Sequence, residues 1–195
     1  MKKIIYFFII LLSLNQLKAQ VSIITDQFSS MITNRGWDYS SDRKLFEVEL
    51  NDKLTKNYVV VSKNKSGAEN DILYIEKFTK NKKATFIKGF VKTFSIKFTH
   101  KTNLSLSFVR NRMMYKDIDK DGNVEFIYII KEQENGVNSP LMKIIGLIMY
   151  KNKAYKLWVH AKESFKTTHF DENFKELPEN VSSEFLEFWD KLKKE

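Results

Sequence analysis

The chain has 195 residues, with 33 Lys and Arg against 24 Asp and Glu, and a formal charge of +9. It has no cysteine and six glycines, which excludes thiol chemistry and disulfide staples and leaves no glycine-rich loop to cradle a phosphate. Its length suits one domain, or a fused two-part sheet, with enough chain to bury a core.

Residues 1–19 read as a secretory signal. Lys2 and Lys3 precede an unbroken apolar run at 4–12, and Leu17-Lys18-Ala19 ends in the small residue that signal peptidase prefers. A membrane anchor would need about 17–25 apolar residues, and this run is shorter. No cysteine follows for lipid attachment, and no second long apolar run exists. The expected mature protein is a single β-rich domain at 20–195, exported to the periplasm or the cell surface, without a membrane span. Cleavage removes three lysines and no acid, leaving a basic excess of six. With no disulfide available outside the cytoplasm, stability must come from packing and a bound ion. The lysines, among them Lys63, Lys80, Lys151 and Lys191, fall in turns and near the C-terminus. Solvated turns explain them, with attraction to acidic surface polymers as the functional alternative. No nucleic-acid-binding module is present.

Phe28, Met31 and Ile32 are spaced for a short helix behind Ser22 or Thr25, ended by Asn34-Arg35-Gly36. Strands follow at 45–50, 58–61 and 72–78, then a turn at 79–82 and a strand at 84–91. Phe86, Phe90 and Phe94 also fit a helical spacing, but the Thr and Val content favours strand. Phe94, Ile96 and Phe98, then Leu104, Leu106 and Phe108, alternate with polar residues, the mark of half-buried antiparallel strands. Residues 124–131 are a strand, 141–150 an apolar strand buried on both sides, and Tyr155, Leu157 and Val159 another. A loop at 163–177 precedes a helix capped by Asn180. Its apolar face is Phe185, Phe188, Trp189 and Leu192, and Lys191, Lys193 and Lys194 complement the negative end of its dipole. The fold class expected is α+β and β-rich: mainly an antiparallel meander sheet with a C-terminal amphipathic helix packed on it. About nine strands without an internal repeat exclude a propeller.

One stretch dictates a definite chemistry. In Asp117-Ile118-Asp119-Lys120-Asp121-Gly122-Asn123-Val124-Glu125, carboxylates at alternate positions aim three oxygens at one point. Gly122 supplies the sharp turn, the Asn123 carbonyl adds an oxygen, and Glu125 closes the site. Ca²⁺ takes six to eight hard oxygens at about 2.3–2.6 Å, which this set with water supplies. The twelfth loop position, a carboxylate in a helix-loop-helix hand, is Tyr128. The β-branched and aromatic run after Gly122 leads into a strand, similar to the calcium loops of β-propeller repeats. The alternative is a metal-free acidic turn.

Asn57-Tyr58-Val59-Val60-Val61, Asp71-Ile72-Leu73-Tyr74, the loop with Glu125-Phe126-Ile127-Tyr128, Ser139-Pro140, Leu147-Ile148-Met149-Tyr150 and Lys153-Ala154-Tyr155 resemble an exported Bacteroidota family loosely linked to surface polysaccharide biosynthesis. The resemblance covers residues 57–160 and implies an envelope location rather than an activity. Where that family carries an acid and an arginine, this chain has Asn138 and Trp158-Val159-His160.

Catalysis needs a convergent nucleophile, base and electrostatic stabiliser. His100, His160 and His169 lie in no zinc-ligand spacing, and no Gly-x-Ser-x-Gly elbow exists. His160 near Glu163 offers a base, and Asp121 with Glu125 a glycosidase pair, but the latter two sit inside the loop. Of Trp37, Trp158 and Trp189, Trp189 belongs to the helix's apolar face. Trp158, out of phase with Leu157 and Val159, is the candidate exposed aromatic, and with His160 the candidate ligand-binding pair. The leading expectation is a calcium-binding, non-enzymatic protein that meets an envelope glycan or a protein partner. The alternative is a carbohydrate-active or other hydrolase with a structural calcium site.

Overall fold

The computed structural model describes residues 20–23, 39–64, 68, 70–81, 90–99, 105–136 and 138–192. The signal segment at 1–19, the helix around Phe28, Trp37, the segment 84–89, His100, Lys193 and Lys194 lie outside the described residues.

Among the described residues, ten strands form two five-stranded sheets in which strands adjacent in sequence within a sheet pair antiparallel. The first sheet holds β1 (Gln20–Ile23), β2 (Arg43–Asn51), β3 (Thr55–Lys63), β4 (Ile72–Asn81) and β5 (Val91–Thr99). The second holds β6 (Ser105–Lys116), β7 (Glu125–Gln133), β8 (Leu141–Tyr150), β9 (Lys153–His160) and the two-residue β10 (His169–Phe170). One helix, α1 (Glu179–Asp190), follows. The β-rich α+β class is therefore as expected, but the strands divide between two sheets instead of one.

Facing apolar rows explain the division. Val48, Leu50, Val59, Val61, Leu73 and Ile75 of the first sheet share a core with Phe126, Tyr128, Ile130, Ile145, Leu147 and Met149 of the second. The opposite face of the second sheet, with Ile127, Ile129, Ile144, Ile148 and Leu157, takes Val181, Phe185 and Trp189 of α1. The second sheet is thus the middle of three layers. That is why β7 and β8 read as nearly unbroken apolar runs, while β5, covered on one face, alternates half-buried and exposed.

Trp189 is fully buried, its indole N–H donating to Thr168 Oγ1 at 3.4 Å. Its ring lies where a side chain at Gly146 would be, for a Cβ there would come within 3.0 Å of the indole and of Leu157. A bulky aromatic and a missing side chain fit each other across the sheet–helix interface, and the sequence pattern alone did not mark Gly146.

Several local expectations need correction. β4 runs on through Asn81, so 79–81 is strand rather than turn; Thr79 stays paired with both Thr55–Lys63 and Val91–Thr99 neighbours, opposite Asn57 and Val91. Asn180 does not cap α1. The helix opens at Glu179 behind Pro178, whose carbonyl accepts from Val181 at 3.0 Å and Ser182 at 2.9 Å, with no side-chain cap. Proline suits that entry because it presets the backbone and has no N–H to satisfy. The strands β1 and β10 were not anticipated; β10 sits in the span read as loop, where His169 and Phe170 pair with Trp158 and Leu157.

Candidate metal centre

The acidic loop joins the long edge strand β6 to the central strand β7, so its two ends are held by the ladder Lys116–Glu125 onward. Inside it, carboxylates accept the loop's own N–H groups. Asp117 Oδ2 accepts from Gly122 N at 3.1 Å, Asp119 Oδ1 from Asp121 N at 3.2 Å, and Asp121 Oδ1 from Asn123 N at 2.8 Å. Glu125 Oε2 reaches back to Ile118 N at 2.8 Å. Gly122 has φ +90°, and a Cβ there would stand 2.9 Å from Lys53 Cβ. Only glycine meets both the left-handed turn and the close approach.

The first sheet pins the loop from across the core. Lys53 N donates to Gly122 O at 2.7 Å, and Val124 N donates to Asp52 Oδ1 at 3.0 Å. Asp52, almost fully buried, also accepts from Asn57 Nδ2 at 2.5 Å. Burial pushes its carboxyl up from the ordinary aspartate range, against the pull of the Lys77 ammonium. The same burial pushes Lys77 down. Tyr150 closes the other side, its hydroxyl donating to Asp119 Oδ2 at 2.9 Å.

What results is a convergence of Asp117, Asp119 and Glu125, each offering one carboxylate oxygen, all within 4.8 Å of one another. Two like charges at that distance repel by roughly 3 kcal/mol at an effective dielectric of about 20. Burial first, and the charges of Asp119, Asp121 and Asp117 after it, push Glu125 up to about 7. Asp117 Oδ1 is buried with no hydrogen-bond partner, which costs roughly 1–3 kcal/mol for a neutral group and more for a charged one. A hard cation answers both costs: it neutralises the cluster and gives the orphaned oxygen a partner. The donor set, all oxygen and mostly carboxylate, fits calcium.

Of the four carboxylates expected from sequence, Asp117, Asp119 and Glu125 meet and Asp121 does not. Asp121 and Asn123 are both exposed, and their side chains are tied to each other through Asn123 Nδ2 and Asp121 Oδ1 at 2.7 Å. The Asp121 carboxylate instead faces outward, toward the Lys151 ammonium at 4.0 Å. Asp52, Lys53 and Tyr150 are the functional neighbours that sequence reasoning missed; no spacing rule links them to a loop so far along the chain.

Trp158 and His160 lie together at the far end of β9. Trp158 is half-buried against the inter-sheet core rather than exposed. Its ring already has two partners, His169 stacked at 5.9 Å and Lys143 Nζ at 5.2 Å. His160 packs edge-on to His169 at 5.6 Å, and burial, followed by the charges of Lys143 and Lys162, pushes its imidazole down. The partner of Glu163 is not His160 but His169, whose Nε2 stands 2.7 Å from Glu163 Oε2 and holds that carboxyl below its usual range.

No protein-family model, curated protein or solved structure matches this chain. Among the described residues no helix is long and apolar enough to cross a membrane.

Proposed function

We propose that this protein is an exported, calcium-binding, non-enzymatic domain that acts by binding at the cell envelope or outside the cell. The observation that carries the reading is the convergence of Asp117, Asp119 and Glu125 on one point with a buried, unpartnered Asp117 oxygen beside it. The ion's role is structural. It ties the β6–β7 loop to the first sheet through the Asp52 and Lys53 contacts and so joins the two halves of the sandwich at that end. Each sheet is read as a meander and α1 as an amphipathic cover whose apolar side seals the middle layer. Export rests on the Lys2-Lys3, apolar, Leu17-Lys18-Ala19 pattern, and an envelope setting on the Bacteroidota resemblance. The partner classes are an envelope glycan or a protein.

The deciding experiment is thermal melting with calcium, magnesium and chelator. Calcium should raise the midpoint, chelator should lower it, and magnesium should substitute poorly because it demands a smaller octahedral cage. No response to millimolar calcium, with calorimetry silent as well, ends the metal reading. Mass spectrometry of the exported protein checks the rest, with a mature N-terminus at Gln20 expected.

A second reading, a carbohydrate-active or other hydrolase with a structural calcium, draws on the Glu163–His169 pair beside His160 and Trp158. An oriented imidazole is half of an acid–base device. Hydrolysis of a glycan or ester by the protein that His169→Ala abolishes would establish it.

A further inference from the structure

Next to the acidic loop, the inter-sheet space changes character. Over most of the sandwich it is filled by aliphatic and aromatic side chains, but at this end it opens into a cavity of about 300 Å³. Its floor is the polar end of the first sheet, with Lys77, Thr79 and Thr93; its far wall includes Val124, Met149 and Asn152. That volume is the lower end of the range for small-molecule sites, room for a ligand of one sugar ring.

Lys77 is the telling group. Only 8 % of it is exposed, yet its ammonium has no acceptor within hydrogen-bond distance among the described residues. The nearest carboxylate oxygen, on Asp52, stands at 3.9 Å. Asp52 is in turn occupied, by Val124 N, by Asn57 Nδ2 and by the Thr55 hydroxyl at 3.5 Å. Glu125, on the same wall, is committed to Ile118 N and to the acid cluster. The carboxylates of the cavity therefore have hydrogen-bonded partners, while the Lys77 ammonium has only the 3.9 Å ion pair with Asp52. A buried cation lacking acceptors calls for an acceptor-rich, negatively charged guest.

Three features narrow the guest. Asp52 and Glu125 share the lining with the ammonium groups of Lys77 and Lys151, and two carboxylates against two cations favour a monoanionic carboxylate over a dianionic phosphate. Thr79 and Thr93, whose hydroxyls stand 2.7 Å apart, and the Asn152 amide suit vicinal hydroxyls, which both donate and accept. Val124 and Met149 supply an apolar strip for a ring's C–H face. We propose that this cavity binds a small carboxylate-bearing polyol, the size of one hexuronic acid unit, with Lys77 anchoring its carboxylate and the threonines its hydroxyls. The assignment rests on the binding-domain reading and deepens it by naming a ligand class; its anchoring groups, Lys77, Thr79, Thr93 and Asn152, are not among the carboxylates that converge in the loop.

The test is calorimetric titration of the purified protein with glucuronate, galacturonate, glucose, acetate and inorganic phosphate, each with calcium and with chelator. At least one uronate should bind, and glucose and acetate should each bind at least tenfold more weakly, since each has only half of the recognised chemistry. Lys77→Met, which keeps the volume and removes the charge, should weaken the uronate at least tenfold. Thr93→Val, which leaves every charge in place, should weaken it several-fold and so guards against a folding defect in the first variant. Amide resonances of Thr93 and Asn152 should move on addition of uronate. No heat and no shift with either uronate at 10 mM overturns the proposal, as does unchanged affinity in both variants. Phosphate binding as tightly as uronate overturns it too, reducing the cavity to an unspecific anion site. Calcium-dependent melting is recorded on the same samples, so a protein that answers calcium but not uronate loses this inference and keeps the metal reading.

Discussion

The two ends of the middle sheet's environment are built by opposite means. Under α1, Trp189 fills the space left by Gly146, and Phe185 and Val181 complete a dry interface that needs nothing further. At the β6–β7 loop, three carboxylates converge and one buried oxygen is left without a partner. The first region is finished by the chain itself. The second keeps like charges face to face, with the Lys151 ammonium as a loose counter-charge at 3.8 Å from Asp119 and 4.0 Å from Asp121. Apolar packing satisfies itself because every contact is both given and received, whereas a cluster of like charges is stable only with a counter-charge. Stability that depends on the surroundings should therefore concentrate at the loop, and stability that does not should concentrate under the helix.

The largest effect should come from the dry region. Trp189→Ala should cost about 3–5 kcal/mol, as for other buried aromatics, and by the same amount with calcium as with chelator. A loss below about 1 kcal/mol in denaturant unfolding would show that the helix is not part of the core.

Next comes the ion. Calcium at a hundred times its dissociation constant should stabilise the native state by about 2.7 kcal/mol. Asp119→Ala should abolish that shift, and Glu187→Ala, an exposed acid on α1 paired with Lys191, should leave it intact. An unchanged calcium shift in the Asp119 variant would remove that residue from the site.

A smaller effect sharpens the comparison from the packed side. Gly146→Ala should cost about 1–3 kcal/mol by overpacking, because the indole must move away from the new methyl group. Combined with Trp189→Ala the penalty should shrink, since the offending ring is gone. Strict additivity of the two changes would break the proposed fit between them.

The smallest effect is on pH dependence without calcium. Glu125 is pushed up to about 7 from an ordinary value of 4.5, so the folded state binds its proton more tightly than the unfolded state. Its contribution is fully present below the ordinary value and is lost as pH rises to and past about 7. With chelator, the melting midpoint should fall between pH 5 and pH 8; with saturating calcium, which holds Glu125 ionised, that fall should vanish or reverse. Glu125→Gln should flatten the chelator curve. A chelator curve that rises over the same interval would contradict the buried, mutually repelling cluster.

Much of the strand pattern was legible in the sequence because alternation follows directly from the pleat. Phe94, Ile96 and Phe98 face inward on β5, and the span 141–150 is a strand, buried on both sides from Ile144 to Tyr150 but not at 141–143, where Met142 is exposed. The helix face was legible for the same reason, with Phe185 and Trp189 fully buried and Phe188 and Leu192 packed partly against them. Asp117, Asp119 and Glu125 could be picked out because a tight loop brings alternate residues together by local geometry alone. Asp121 shows the limit of that logic, since equal spacing did not bring its exposed carboxylate into the group formed by Asp117, Asp119 and Glu125.

By itself, then, the sequence determined what is local: which residues alternate, where an apolar face lies on the last helix, and which acids one glycine-turned loop gathers. The tertiary structure alone decided what depends on contacts between distant segments. It split the strands into two sheets, since periodicity marks a face as apolar without saying which face it meets. It brought Asp52 and Lys53 onto Val124 and Gly122, set Trp189 over Gly146, and gave Glu163 to His169 rather than His160. It also left Lys77 buried beside a cavity with its ammonium short of an acceptor. Apart from Glu163 and His169, six residues apart, these pairings span tens of residues and are fixed by how whole faces dock.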